Sequence, residues 1–241
     1  MKPSNVFQLE LSSAFYSRRS LIMKILFTFL LSFPFVVIAM PLRVRIAGLM
    51  MLLIFSSFFG AAVTIVRRRS DGLLGRLRQL PVPAWKIMGD FTLSGAVVDI
   101  IQMGSVLTLF LVVSGQGLYV GSLMITAGLF CATVVLLNIL GIILGFMVKS
   151  NSEVHLAGAF LVGIIALISD LLPVPSRLEW IITSICRWNP LTLLHHSLYS
   201  IVQNTAADIQ NDSYVPVFFI IVFVVAVAWR AYDWKGNSEG R

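Results

Sequence analysis

Residues 100–148 carry no Asp, Glu, Lys or Arg. A stretch of that length cannot fold with its surface in water, because soluble domains carry roughly 25% charged residues. The bias runs through the whole 241-residue chain, which is 58% hydrophobic and 12% charged. Its apolar residues come in long blocks instead of at a core-facing period. The sequence therefore predicts an all-α polytopic membrane protein with a single transmembrane domain, 1–241.

A spanning helix needs about 20 apolar residues, since the hydrocarbon is about 30 Å thick and each helical residue rises about 1.5 Å. Six blocks meet or approach that length: 21–40, 46–66, 91–113, 118–148, 156–172 and 214–232. Ser114, Gly115, Gln116 and Gly117 separate the third from the fourth and suit a tight turn. The fourth block, at 31 residues, exceeds one span and predicts tilt or an interfacial first turn. The fifth has 17 residues and ends at Pro173-Val174-Pro175, where a helix would lose backbone donors. No small-residue cleavage site follows the first block, which is expected to remain as a span.

Orientation follows from Lys and Arg. With both termini in the cytoplasm, fourteen of the 18 basic residues lie inside and only Arg43, Arg45, Arg177 and Arg187 outside. The membrane thus accounts for the net charge of +7, and no nucleic-acid partner is expected. Cys131 and Cys186 are too few and too differently placed for a disulfide framework or a metal cage.

Three polar connections stand out. Within 1–20, Phe7, Leu11, Ala14 and Phe15 at helical spacing before Arg18-Arg19 predict either an interfacial helix or a solvated lead-in. The connection 67–90, expected in the cytoplasm, opens on Arg67-Arg68-Arg69. Leu73, Leu74, Leu77 and Leu80 then share one helical face while Arg76 and Arg78 point elsewhere, before Pro81-Val82-Pro83 and Trp85. Such a helix fits a groove on a partner or an anchor on anionic lipid. The third connection, 173–213, is too apolar for a free loop and too interrupted by Pro, Arg, His and Asp for a span. It is expected to pack on the outer end of the bundle, burying Trp180 and Trp188.

Gly72, Leu77, Pro81-Val82, Trp85 and Ile87 resemble the loop between the second and third spans of ATP-binding-cassette transporter permeases of the type-2 exporter family. Asn189-Pro190-Leu191-Thr192 resembles the motif before that family's last span. The family's usual loop acid falls at Gly75 here, and the arginine often found beyond the second motif falls near Tyr199. The resemblance implies six spans, with a re-entrant pair of short helices in 173–213. It implies docking of a separate ATPase through Leu73, Leu74, Arg76, Leu77, Leu80, Pro81 and Trp85. It also implies pairing with a second permease, a bacterial or archaeal plasma membrane, and export of an amphiphilic or lipid-like substrate such as a drug, antibiotic or glycolipid. No phosphate-cradling G-x-x-x-x-G-K-[ST] occurs, so no cofactor is expected in this chain, and ATP and Mg would be bound by the partner.

Polar residues inside spans are costly, and so become candidates for a translocation path. Asp99, with Gly95, Gln102 and Met103 on its face, either packs structurally or serves a substrate or proton. Lys24 either pairs with Asp99 or snorkels to the inner surface. Asn138 is followed by Gly141 and Gly145, a spacing that lets two helices approach closely. The competing readings are a membrane-embedded enzyme using His195, His196 and Asp170 on a lipid, and a nonenzymatic scaffold. No metal site is expected.

Overall fold

The computed structural model describes residues 18–77, 84–114, 120–172, 180, 186 and 189–203, and every regular element among them is helical. Helix α1 is Arg18–Val37, and α2 runs through Leu42–Ser70 with a π-helical turn, Phe55–Phe59, set into it. The short α3 is Leu73–Leu77 and α4 is Ala84–Val113. Then come α5, Val120–Met147, α6, Asn151–Leu167, and α7, Pro190–Gln203. Three helices are long and apolar enough to cross a membrane, Leu42–Ser70, Lys86–Val113 and Gly121–Met147, with two shorter apolar helices, Ile22–Val37 and Asn151–Leu167, beside them. Six spans are thus found only in part. The sixth block, 214–232, the amphipathic lead-in before residue 18 and the turn residues 115–117 lie outside the described residues.

Helices α2 and α5 form the central pair. α1 lies against the first half of α2 and against α4, α4 packs on α5 and meets α2 at its π-helical turn, α6 lies against the second half of α2, and α7 covers α5 and the start of α2. The core face of α2 is Ile46, Leu49, Met50, Leu53 and Ile54, each 0% exposed, the i, i+3, i+4, i+7, i+8 stripe of a helix buried on one side. Met103, Val106 and Phe110 answer it from α4. On α1 the outward residues Ile22, Met23, Leu26, Phe27 and Leu30 are apolar as well, the surface that a lipid solvent requires.

Glycines set the closest contact. A Cβ on Gly145 would stand 2.8 Å from the Ala62 carbonyl oxygen, and one on Gly141 would collide with the Phe58 carbonyl. The expected close approach of two helices at these glycines is therefore the α2–α5 seam.

Helix boundaries differ from the apolar blocks where local chemistry outranks hydropathy. Helix α6 starts at Asn151, well before the block at 156, because the Ser150 side chain accepts from the Glu153 amide and caps it. The 67–90 connection shortens because α2 continues to Ser70 and α4 begins at Ala84. Arginine side chains satisfy carbonyls at two helix ends. Arg45 donates to Phe35 O at 2.8 Å and Val36 O at 2.7 Å at the end of α1, and Arg69 donates to Val148 O just past α5.

Candidate functional site

A carboxyl in the middle of a spanning helix must find partners in the protein, since the hydrocarbon offers none. Asp99 lies midway along Lys86–Val113, and Ser56 lies midway along Leu42–Ser70. Ser56 Oγ donates to Asp99 Oδ1 at 3.3 Å, and Asn138 Nδ2 of α5 donates to Asp99 Oδ2 at 2.9 Å. The same amide also reaches Val134 O at 3.1 Å. Ser57, 0% exposed, stands beside the carboxyl from the π-helical turn, its Oγ without a hydrogen bond of proper geometry. Three long helices thus meet at one polar cluster.

Backbone features make the cluster possible. A Cβ at Gly95 would lie 2.7 Å from Asn138 Oδ1, so glycine leaves the room that the carboxamide uses. The π-helical turn places an extra residue in the α2 ladder and puts Ser56 and Ser57 opposite Asp99, a local irregularity frequent at functional sites.

Of the three path candidates, Asp99 and Asn138 are brought together, and Gln102 is turned elsewhere. Its Nε2 donates to Thr28 Oγ1 and, at 3.4 Å, to Lys24 O, joining α4 to α1. Lys24 itself is exposed and makes no ion pair with Asp99; among the described residues the salt bridge is Arg43–Asp170 at 3.3 Å.

The candidate coupling residues lie at the far end of α2. Gly72, at φ +71, turns the chain past Ser70 into α3, the left-handed step for which glycine is suited. Leu74 and Leu77 are buried in a cluster with Ile65, Ile87, Met88, Phe91 and Ile142, and Leu73 packs partly against it. The leucine face therefore binds this chain's own helix ends, and Gly75 and Arg76 are the exposed residues. Arg68 lies 4.7 Å over the Phe91 ring. Arg78, Leu80 and Pro81 lie outside the described residues, as does the Trp85 side chain.

At the opposite end, Asn189 opens α7. Its Oδ1 accepts from the Leu191 amide at 3.0 Å, while Nδ2 donates to Ile168 O at 3.0 Å and Ser169 Oγ at 2.9 Å. Pro190 takes the first helical position, where its missing N–H costs nothing, and Leu191 and Thr192 are buried. The Asn-Pro-Leu-Thr segment is thereby a cap and a tie to the end of α6. Leu191, Leu194 and Leu198 enter the core as expected, but Trp180 is 74% exposed, a correction to its expected burial. An indole at a bundle end is at home against an interface, where its apolar body and polar edge are both accommodated. Trp188 lies outside the described residues.

His195 is buried and neither imidazole nitrogen has a hydrogen bond of proper geometry. Burial, with the neighbouring His196 and Arg43 charges adding to it, lowers its pKa to about 4. His196 is exposed, its ring centroid 5.6 Å from that of His195. Burial also pushes the Cys186 thiol up. Among the described residues no three His, Cys, Asp or Glu side chains gather as metal ligands.

Sequence reasoning missed Ser56 and Ser57. The available signal was a serine pair at the centre of an apolar block, at the depth where another block carries Asp99. No family model, curated protein or solved structure matches the chain.

Proposed function

We propose that the chain is the membrane permease subunit of an ATP-driven exporter, working with a separate ATPase and a second permease copy to move an amphiphilic or lipid-like substrate out of the cytoplasm. The termini are cytoplasmic on this reading, from the distribution of Lys and Arg. The observation that carries it is the mounting of α3. Leu74 and Leu77 fix it to residues of α2, α4 and α5, the same three helices that build the Asp99 cluster. Force applied by a partner at Gly75 and Arg76 would therefore pass to those helices as rigid bodies instead of being lost in a free loop. ATP-driven closure of the partner would shift them and alternate access to a path between the two copies.

The test is copurification from native membranes in mild detergent, with mass spectrometry for a chain that carries a Walker motif. Wild type retains such an ATPase, and Arg76→Glu, altering only an exposed side chain, loses it by about tenfold or more, which corresponds to about 1.4 kcal/mol. Leu77→Asp detaches α3 from its cluster and abolishes coupled transport even where some ATPase stays bound. An intact, helical wild-type protein that brings down no ATPase would sink the exporter reading.

A further inference from the structure

We infer that the end of the bundle to which α3 is fixed is a docking surface for anionic phospholipid headgroups, contacted through Arg67 of α2, Lys86 of α4 and Lys149 just past α5. This goes beyond the exporter reading and needs no ATPase. Arg76, which that reading assigns to the partner, takes no part in it.

The two ends of the bundle use their cations differently. At the α7 end, Arg43 is paired with Asp170 at 3.3 Å, while Arg45 donates to the Phe35 and Val36 carbonyls and lies 5.0 Å over the Phe110 ring. Protein groups occupy both. At the α3 end, Arg68 lies over Phe91 and Arg69 donates to Val148 O, whereas Arg67, Lys86 and Lys149 are exposed and make no ion pair among the described residues. The acids at this end are Asp71, Asp90 and Glu153, outnumbered by the six basic residues Arg67, Arg68, Arg69, Arg76, Lys86 and Lys149, and a Glu153 oxygen is held by the Lys149 amide at 2.6 Å. The surplus of charge is positive.

Depth favours a lipid over an acidic protein. Ile87, next to Lys86, packs in one cluster with Ile65 of α2 and Ile142 of α5, which sets the three cations just beyond one apolar layer. Two of them also continue outward apolar stripes. Lys86 shares a helix face with Leu93, 52% exposed, and Lys149 follows Met147, 74% exposed and in line with the exposed Leu140. Acyl chains lying on those stripes bring their phosphates to the cations. A headgroup with net negative charge gains more there than a zwitterionic one, whose own ammonium competes for the phosphate.

The experiment is native mass spectrometry of the purified full-length chain, released from detergent micelles that carry equimolar phosphatidylglycerol and phosphatidylcholine. Wild type retains phosphatidylglycerol in preference, and the preference shrinks as ionic strength rises. Arg67→Gln, Lys86→Gln and Lys149→Gln each lower it by about fivefold at most, and the triple variant brings the two lipids near parity. Arg67→Lys keeps the charge and the preference, and Arg43→Gln, at the opposite end, leaves it unchanged. Gel filtration and helical circular dichroism check that each protein is folded. Equal retention of the two lipids by folded wild type overturns the inference. A preference undiminished in the folded triple variant, or lowered as far by Arg43→Gln, overturns it as well. No ATPase is present in this measurement, so its failure leaves the exporter reading standing, and loss of the exporter reading leaves this surface standing.

Discussion

Two groups of buried polar side chains contrast in this bundle, one bonded across helices at every member but Ser57 Oγ, the other held without well-formed bonds. At the Asp99 cluster, side chains from three helices converge, and hydrogen bonds from Ser56 and Asn138 satisfy both carboxyl oxygens. On α7, Thr192, His195 and Ser197 are equally buried, yet His195 has no properly bonded nitrogen and the Thr192 and Ser197 hydroxyls have no bond of proper geometry. A knit cluster ties helices to one register. Unbonded polar groups cost desolvation and return little, which marks α7 as the more weakly specified part of the bundle.

The largest effect should follow from turning the knit cluster against itself. Asn138→Asp replaces the amide donor at 2.9 Å with a second carboxyl beside Asp99. Two acids facing each other in an apolar bundle should destabilise the fold on the order of 3–5 kcal/mol. Thermal unfolding in detergent measures it, with Asn138→Leu falling between the variant and wild type. A midpoint unchanged within error would mean that the cluster is open to water and that the contrast with α7 is false.

The seam that lets Asn138 reach across comes next. Gly141→Ala places a methyl against the Phe58 carbonyl, where backbone must move. Overpacking of this kind costs roughly 1–3 kcal/mol, and it should also loosen the Asn138–Asp99 bond. A cysteine pair across α2 and α5 would crosslink more slowly in the variant. Faster or equal crosslinking would argue that the seam is not the spacer of the cluster.

How far these regions could be read from sequence differs for a physical reason. Asp99 and Asn138 stand out because charge and amide are rare in apolar blocks. The stripe from Ile46 to Ile54 does not, because lipid-facing residues are as apolar as core-facing ones and erase the 3.6-residue period. The α6 start was present in the Ser150-to-Glu153 spacing, and hydropathy alone placed it too late. Leu74 and Leu77 were recognised as one apolar face, but periodicity does not say whose surface covers it, and here it is this chain's own. The capping roles of Arg45 and Arg69 depend on helix ends meeting distant residues, which spacing does not encode.

Acid should separate the two regions by a smaller amount. His195 is lowered to about 4 in the folded chain, against about 6.5 when unfolded. The unfolded chain therefore binds the proton first, so the stability present above pH 6.5 is lost as pH falls towards 4, and no more is lost from this group below that. The loss is at most about 3 kcal/mol. It should appear as local release of α7, read by hydrogen exchange at Leu194 and Leu198, before the α2–α5 seam opens. Simultaneous release of both would show that α7 is no weaker than the rest.

The smallest change is the one that removes the poorly bonded imidazole. His195→Leu keeps roughly the volume of the side chain and discards two nitrogens that lack proper bonds at 2% exposure. Replacing a buried polar group whose hydrogen bonds are poorly formed by an apolar one is nearly neutral or stabilising, by about 1 kcal/mol at most. At pH 8 the unfolding midpoint should stay level or rise slightly, and the loss of α7 protection between pH 6.5 and 4 should disappear, since the group responsible is gone. The equivalent apolar replacement at Asn138 removes bonds that exist and must lower the midpoint, so the pair reads bonding against mere burial. A clear drop for His195→Leu at pH 8 would show that the imidazole is held by a partner, and would place α7 with the Asp99 cluster as a specified polar contact.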